Sequence, residues 1–267
     1  MTSYEPIAAV LRGLEVLRSL NDHGPMAIGD LHKVTQISKP TLVRIIETLQ
    51  FAGYVGPADQ HRRYAVTAMV LTLGNGYRGE KHLMAVAEPI LNAFREKIGW
   101  PSVMGVFDHD GMMVLDVGDD GRGFRFINGR PGYRLPLLRT AMGRAYLAMM
   151  PDEEIEMLLE RLRRKKGSDF DAARNSGKLW QLVRQIRRRG YAFSDRETLH
   201  TVRSIGAAVI QGKKPVAAVN VVVLASEMSL KAMEARFAAG LMNVVRSISA
   251  ALNRGDGNEV RTPPRTQ

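Results

Sequence analysis

One segment near the beginning of the chain narrows the fold more than any other: TQISKPTLVRIIETLQFAGYV, which runs from Thr35 to Val55. Its apolar residues recur at the spacing of one buried helix face, at Leu42, Ile45, Ile46 and Leu49. Ser38 is expected to cap this helix with its hydroxyl, and Pro40 falls in the first turn, where its missing N–H costs nothing. The segment therefore predicts an amphipathic helix with a defined beginning.

The sequence on either side of this helix completes a small domain. Val10, Leu14 and Leu17 predict a first helix that ends before the turn cluster NDHGP, and AIGDLHKV predicts a short second helix. The β-prone pieces GYV and RYAV flank a loop with Arg62 and Arg63 and predict a hairpin. Three helices followed by a hairpin are the outline of a winged helix-turn-helix.

The rest of the chain alternates strand and helix patterns. SVMGVFD and GMMVLDV, joined at HDG, predict a hairpin, GFRFIN predicts another strand, and SIGAAVI and VAAVNVVVL predict two apolar strands around QGKKP. LPLLRTAMGRAYLAMM predicts a mostly buried helix over 135–150, two amphipathic helices follow it, and SLKAMEARFAAGLMNVVRSISAALNR predicts a long closing helix. Mixed strands with helices at both ends predict an α+β fold.

These patterns predict the domain organisation. The winged helix-turn-helix takes residues 5–68, with its helix-turn-helix near 27–50, and a linker helix over 69–84 leads into a second domain over 85–254. The last residues, 255–267, combine Gly, Pro and charge with almost no apolar side chains, and they predict a disordered tail.

Composition and motifs exclude several function classes. The chain has no cysteine, which excludes disulfides, thiol nucleophiles and cysteine metal sites and fits a reducing cytoplasm. No HExxH or GxSxG pattern occurs, and the Gly-rich stretch GDDGRGF follows neither GxGxxG nor GxxxxGK. The paired carboxylates Asp119–Asp120 and Glu153–Glu154 are adjacent, so they point to different faces. Neither a signal peptide nor a membrane helix is indicated. We therefore predict no catalytic residue, no metal site, no cofactor and no membrane partner.

The net charge of +11 invites a nucleic-acid interpretation, but its distribution weakens that inference. Residues 1–75 hold seven Lys and Arg against six Asp and Glu, so the excess lies later in the chain. It includes the runs RLRRKKG from Arg161 to Gly167 and RQIRRRG from Arg184 to Gly190. Solvated helix ends, where cations suit the helix dipole, are the favoured interpretation, and a surface for RNA or an acidic partner is the alternative.

The predicted helix 39–50 is the natural place for DNA contacts, because the second helix of a helix-turn-helix enters the major groove with its N-terminal residues at base edges. Arg44 can donate two bonds to guanine, Thr41 can contact a base or a phosphate, and Lys39 a phosphate. The predicted DNA-binding residues are Ser38, Lys39, Pro40, Thr41, Arg44, Arg62 and Arg63. The competing hypothesis is a non-catalytic adaptor whose winged helix contacts a protein and whose basic runs contact RNA or acidic partners.

A family resemblance covers residues 6–253. GDLHKVTQISKPTLVRIIETLQFAGYV and RRYAVT resemble the N-terminal domain of the IclR family of bacterial transcription regulators. GRPGYRLPLLRTAMGRAYLAMMPDEE, RRRGYAFSDRE and IGAAVIQGKKPVAAVNV resemble the later signatures of the same family. The chain departs at Gln36, where relatives often have Gly with positive φ, and at 198–201, where they often have an acidic residue and a Gly.

The resemblance implies a GAF/PAS-like α/β effector-binding domain that takes a small organic acid. Backbone N–H groups at the start of the buried helix could hold a carboxylate, and Arg139 precedes them as a charged partner. The family's ligand positions carry over to Ala141, Met142, Ser194, Val202, Ser204, Asn220 and Val222. Other interpretations stay open: a satisfied strand amide for Asn220, a solvent-facing Ser204 and a surface ion pair for Arg139.

The resemblance also implies partners. The segment RLPLLRTAMGRAYLA resembles family members that activate catabolism of aromatic acids, so an aryl acid is the favoured effector. Double-stranded operator DNA is the expected macromolecular partner, and RNA polymerase is a further one open to a transcription regulator. Half-sites read in pairs imply a homodimer, and a dimer of dimers is equally open.

Overall fold

The computed structural model describes residues 4–59, 62–74, 80–118 and 131–255. The chain divides into two compact units, residues 1–79 and 80–267. The predicted strand GFRFIN and the predicted tail beyond residue 255 lie outside the described residues. None of the described helices combines the length and the apolar character needed to cross a bilayer.

The first unit is a winged helix-turn-helix, as predicted. Its elements are helices α1 (Ala8–His23), α2 (Ile28–Thr35) and α3 (Lys39–Phe51) and strands β1 (Val55–Pro57) and β2 (Tyr64–Val66). The two strands pair antiparallel and form the wing.

The core of this unit joins all three helices. Val16 of α1, Leu31 of α2 and Leu42 of α3 are each 0% exposed. Ile46 of the predicted α3 stripe is also buried, and its other members, Ile45 and Leu49, are half-buried against this core. The first helix is confirmed, but Val10 and Leu14 are 56% and 54% exposed, because α1 turns a different face to the core.

The turn between α2 and α3 depends on a residue with positive φ. Gln36 has φ 56°, in the left-handed region that costs an L residue roughly 1–2 kcal/mol. Local hydrogen bonds offset this cost: the Gln36 N–H donates to the His32 carbonyl at 2.9 Å, and its side-chain amide donates to the Lys33 carbonyl at 2.8 Å. The departure from Gly therefore preserves the family's turn geometry.

The predicted linker helix over 69–84 is wrong in its first part. Ala68–Gly74 form a 3₁₀ helix, residues 75–79 lie outside the described part, and the next helix, α4, spans Lys81–Ile98. Threonine hydroxyls favour the tighter turn, since Thr67 Oγ1 accepts from the Met69 N–H and Thr72 Oγ1 donates to the Met69 carbonyl at 2.7 Å.

The second unit is built on an antiparallel sheet of order β5-β4-β3-β8-β7-β6. Its strands are β3 (Ser102–Asp108), β4 (Gly111–Val117), β5 (Arg134–Pro136), β6 (Ala192–Asp195), β7 (Val202–Gln211) and β8 (Lys214–Leu224). The helices after α4 are α5 (Ala141–Ala148), α6 (Asp152–Arg163), α7 (Asp171–Arg174), α8 (Ser176–Arg189) and α9 (Leu230–Gly255).

Each face of the sheet packs in its own hydrophobic core. One core joins α4 and α9 to alternate residues of the central strands, such as Ile205 and Val219. The other joins α5, α6 and α8 to the opposite face, through residues such as Val103 and Ala218. Strands buried on both faces explain why SIGAAVI and VAAVNVVVL read as continuous apolar runs.

The predicted helix over 135–150 is also corrected. Leu135 and Pro136 belong to β5, and the helix begins only at Ala141. Thr140 sets this beginning, because its hydroxyl accepts from the Gly143 N–H at 3.0 Å and donates to the Pro136 carbonyl at 2.8 Å.

The basic runs are largely used inside the second unit. Arg187 donates to the carbonyls of Ala148 and Met150 at 2.7 and 2.9 Å and so satisfies the C-terminal end of α5. Arg163 donates to the Ala173 carbonyl, and Lys165 pairs with Asp110. The runs do lie at the ends of α6 and α8, but the prediction of solvated side chains is wrong for these three, because carbonyl and carboxylate oxygens of the same unit bind them.

Asp110 is the centre of one such cluster. Burial opposes ionisation of its carboxyl and is the largest single influence, but the hydrogen bond from Lys165 and the charges of Arg134, Lys165 and Arg161 outweigh it, so the pKa of Asp110 is lowered. Such a carboxylate stabilises the folded state above its unfolded pKa of about 3.9, and that contribution is lost as pH falls through the lower folded pKa.

We expect Asp110→Asn to lower the free energy of unfolding by about 1 kcal/mol at pH 7, because the ion pairs with Lys165 and Arg134 are lost. The difference in the free energy of unfolding between the variant and the unsubstituted protein should become smaller below about pH 4. Thermal unfolding at a series of pH values measures this difference. Asp171→Asn is the matched control, since Asp171 forms an exposed pair with Arg174. A destabilisation by Asp110→Asn that did not vary with pH would contradict the electrostatic origin.

Candidate functional site

The start of α3 is the first candidate site. Ser38, Lys39, Pro40 and Arg44 are exposed and Thr41 is half-buried, so the predicted contact residues of this helix start are accessible. Ser38 occupies the N-cap position, but the prediction that its hydroxyl would accept a backbone N–H is wrong. Its Oγ lies 2.8 Å from Thr41 Oγ1, because the side chain turns toward that hydroxyl instead.

A groove of about 360 Å³ lies between α1 and α3. Arg12 of α1 and Arg44 of α3 both line it, together with Thr41 and Thr48. The Thr48 hydroxyl donates to the backbone carbonyl of Arg44 at 2.7 Å. This bond does not involve the Arg44 guanidinium. Two guanidinium groups beside two hydroxyls form a cationic, donor-rich surface of the kind that phosphate and base edges accept.

The wing carries its two arginines differently. Arg62 is exposed and has φ 53°, in the left-handed region. Arg63 donates from Nε to Asp59 Oδ2 at 2.5 Å, so its charge is partly compensated within the loop. Arg62 is therefore the better placed of the two to follow a phosphate backbone.

The start of α5 is the second candidate site, and it sits directly on the sheet. A Cβ at Gly206 of β7 would lie 2.7 Å from the Ala141 carbonyl carbon and 2.8 Å from the Met142 nitrogen. Only glycine permits this approach. The Gly143 N–H donates to the Thr140 hydroxyl, and the Arg144 N–H donates to the Thr140 carbonyl. These two bonds leave the N–H groups of Ala141 and Met142 as the other two donors at the start of α5.

The register of the sheet brings the polar residues of this site together. Ser194 lies opposite Ser204, Ser204 opposite Val222, and Gly206 opposite Asn220. Because facing residues share one side of a sheet, all of these belong to the face that carries α5. Val202 starts the same row on β7.

Burial separates the alternatives for the two polar strand residues. Ser204 is 8% exposed, which excludes a solvent-facing position. Asn220 is 4% exposed, and its side-chain carbonyl oxygen has no hydrogen-bond partner within the described residues. A buried acceptor without a donor costs free energy, so Asn220 is not a satisfied strand amide.

Arg139 forms the ion pair that was its alternative interpretation. Its guanidinium donates to Asp169 Oδ1 at 2.8 Å and to the Glu197 carbonyl, so it forms an ion pair beside the site. Its own carbonyl accepts from the Ser194 hydroxyl at 2.6 Å, which fixes that serine.

Sequence reasoning missed three residues that shape this site: Thr140, Arg144 and Gly206. Thr140 carried a readable signal, since a threonine directly before a buried helix is a favoured N-cap. Arg144 and Gly206 matter through partners distant in sequence, and no local pattern reveals those contacts.

Tyr146 of α5 is a titratable side chain near this site with a large pKa change. Burial raises the pKa of Tyr146 to about 12, with a smaller contribution from the charge of Glu154, so this phenol stays protonated at neutral pH. It stacks on Phe107 with ring centroids 5.4 Å apart. In the part of the chain that the structure describes, no group of three or more His, Asp or Glu is placed to hold a metal ion.

Comparison with known protein families accounts for both units. The profile of the IclR helix-turn-helix domain matches residues 9–57, and that of the bacterial transcriptional regulator IclR C-terminal domain matches residues 76–250. The HTH-type transcriptional regulator TsaQ1/TsaQ2 of Comamonas testosteroni is 25% identical over 248 residues, or 92% of this chain and 88% of that protein. The Pca regulon regulatory protein of Pseudomonas putida is 25% identical over 244 residues, or 91% and 83%.

Solved structures agree. The IclR family transcriptional regulator from Brucella abortus matches with a TM-score of 0.66 and 25% identity over 92% of this chain and 93% of that one. An IclR homolog from Microbacterium hydrocarbonoxydans, complexed with 4-hydroxybenzoate, matches with a TM-score of 0.68 over 92% and 100%, and at 17% identity this likeness bears on the fold alone. The two matching profiles span most of the sequence, and the chain therefore belongs to the IclR family of DNA-binding bacterial transcriptional regulators.

Proposed function

We propose that this regulator binds a palindromic operator through α3 and the wing, and that a small organic acid bound at the start of α5 controls the binding. The acid must bind the DNA-competent and DNA-incompetent arrangements with different affinity, because a ligand with equal affinity for both shifts nothing. The residues proposed for the acid site are Arg139, Ala141, Met142, Ser194, Val202, Ser204, Asn220 and Val222.

One observation carries the acid site: among the residues that the structure describes, none donates to the buried side-chain oxygen of Asn220. Asn220 pairs in the sheet with Gly206, on which the start of α5 rests. The amides of Ala141 and Met142 suit a carboxylate, since helix N-termini attract anions. A hydroxyl on the acid would supply the donor that Asn220 lacks. Arg139 then acts on the site from outside, by holding Ser194 and the helix entry.

An aromatic acid is the proposed effector class. Apolar side chains dominate the surroundings of the helix start, including Met142 and Val222, and an aryl ring suits such walls. The complex of an IclR homolog with 4-hydroxybenzoate adds an example of an acid that combines a carboxylate, a ring and a hydroxyl.

A homodimer is the proposed DNA-binding form. The outer face of α1 and the residues before it present exposed apolar side chains, which are Tyr4, Ile7, Val10, Leu11 and Leu14. A row of this kind is more than scattered surface apolarity, and a second copy is the occupant that a paired half-site requires. A dimer of dimers stays an alternative.

We expect Arg44→Ala to cost roughly 1–3 kcal/mol of DNA-binding free energy at one base pair of the operator, because a bidentate base contact is lost. Fluorescence anisotropy against operator duplexes with single base-pair changes measures the loss. Arg62→Ala is the matched control: it should weaken binding evenly across sequences and reduce the salt slope by about 1. Unchanged DNA affinity in Arg44→Ala would instead favour the protein-binding adaptor.

We expect one acid from a panel of benzoate, 4-hydroxybenzoate, 3-phenylpropionate, acetate and pyruvate to change operator affinity. The measurement is anisotropy of the full chain on duplexes from upstream of its own and neighbouring genes, against scrambled duplex at several salt concentrations. Equal and steeply salt-dependent binding to all duplexes, unaffected by any acid, would refute the proposal, since only phosphate contacts would then be at work.

We expect Gly206→Ala to weaken acid binding by at least about tenfold, because the new Cβ displaces the amides that hold the carboxylate. Gly177→Ala is the control, since a Cβ at Gly177 meets no atom within 4 Å. Isothermal titration with the acid identified above measures both variants. Full affinity in Gly206→Ala would place the carboxylate elsewhere.

A further inference from the structure

The connection between β6 and β7, residues 196–201, is held by a carboxylate–guanidinium contact with α5. The two terminal nitrogens of Arg144 donate to the two carboxylate oxygens of Glu197, with Nη1 2.5 Å from Oε1. A two-pronged pair of this kind fixes orientation as well as distance. The Arg139 guanidinium also donates to the Glu197 carbonyl, so two arginines at the start of α5 bind the same residue.

Arg144 is itself fixed, so it serves as a rigid anchor. Its Nε donates to the Leu138 carbonyl at 2.8 Å, and Nη1 also donates to the Phe193 carbonyl at 2.9 Å. The Arg144 side chain is only 14% exposed, whereas that of Glu197 is 36% exposed. The movable partner is therefore the β6–β7 connection.

The connection has reasons to move when it is released. Arg196 has φ 57°, a left-handed conformation that disfavours an L side chain and persists only where neighbours hold it. The connection is closed at its base by the Arg196 N–H, which donates to the Val202 carbonyl at 3.0 Å. Opening would thus involve the tip that carries Glu197 and would leave the paired strands in place.

Both ends of this connection belong to the proposed acid site. Ser194 lies just before it and Val202 just after it, on the face of the sheet that carries α5. Arg144 also lies in the first turn of α5, three residues after the Ala141 amide. One carboxylate therefore sets the position of the connection relative to the helix start.

We propose that Glu197, Arg144 and Arg139 form a clamp that holds the β6–β7 connection against the start of α5 and thereby sets how long the effector stays bound. This inference rests on the proposed acid site. Glu197 is a positioning residue, and pairing with Arg144 also neutralises a negative charge that would otherwise repel an approaching carboxylate. Loss of the clamp should speed effector release more than it slows effector entry.

The test uses Glu197→Gln in the full chain, which keeps the size of the side chain and removes its charge. Glu160→Gln is the matched control, because Glu160 forms an exposed pair with Arg164 at 3.3 Å in the same unit. Amide hydrogen exchange without any acid reports on residues 139–143 and 196–201. Stopped-flow mixing with the acid identified above gives association and dissociation rates separately.

For Glu197→Gln we expect amide exchange in both segments to rise about tenfold, with the core of β7 and β8 unchanged, because local opening no longer breaks an ion pair with two hydrogen bonds. Effector dissociation should rise several-fold with little change in association. Arg144→Lys keeps the charge but not the second prong, and its effects should be intermediate. Glu160→Gln should match the unsubstituted protein in every measurement.

Two results would overturn the clamp. Unchanged exchange in both segments would mean that Glu197 does not hold the connection, whatever the effector is. Faster exchange with an unchanged dissociation rate would mean that the connection opens without gating the site. If the unsubstituted protein binds no acid, the proposed function fails by itself, and the exchange data without acid still decide whether Glu197 holds the connection.

Discussion

The seating of the α5 N-terminus on Gly206 is the constraint on which the second unit depends. A helix end meets a sheet at atomic contact there, and the contact requires that one strand residue have no side chain. A second glycine serves the same end, since a Cβ at Gly143 would lie 2.2 Å from the Leu137 carbonyl oxygen. With both helix ends secured, by Thr140 and by Arg187, the first amides of α5 are held over Gly206, the residue that pairs with Asn220 in the sheet. A preorganised start of this kind lowers the cost of binding an anion.

The charge of the chain has a structural origin in the second unit. A net charge of +11 in a DNA-binding protein suggests an electrostatic surface for nucleic acid, yet several of its arginines and lysines bond carbonyls and carboxylates of their own unit. Arginine suits this use because its planar group satisfies several acceptors at once and always stays charged. The small helix-turn-helix unit, with a nearly balanced charge, is the one that carries the proposed base contacts. Net charge and DNA recognition are thus properties of different parts of this molecule.

The sequence pattern predicted the first unit closely, because the residues that define its helices and its wing are near each other in the chain. The α3 stripe, the proline in its first turn and the wing each follow from residues within one or two turns of each other. The exposed row on α1 is an instructive exception, since Val10 and Leu14 fit the helix but not its core. Helical spacing fixes which residues share a face, and only packing against α2 and α3 decides which face is buried. The 3₁₀ turn after the wing was missed for a related reason, because threonine hydroxyls competed with the α-helical bonds there.

Sequence patterns alone predicted the two-domain organisation, the helix-turn-helix, the strands around the β3–β4 and β7–β8 turns, and the family resemblance that comparison confirmed. These features are written in periodicity and turn residues, which act between neighbours in the chain. Long-range packing sets the start of α5 at Ala141 and pairs Arg139 with Asp169. It also buries the Asn220 side-chain oxygen where no residue of the described ranges donates to it. The same packing brings Arg144 to Glu197, 53 residues away. Such contacts arise when strand register and helix packing bring distant residues together, and the free energy that selects them belongs to the whole core rather than to any one segment.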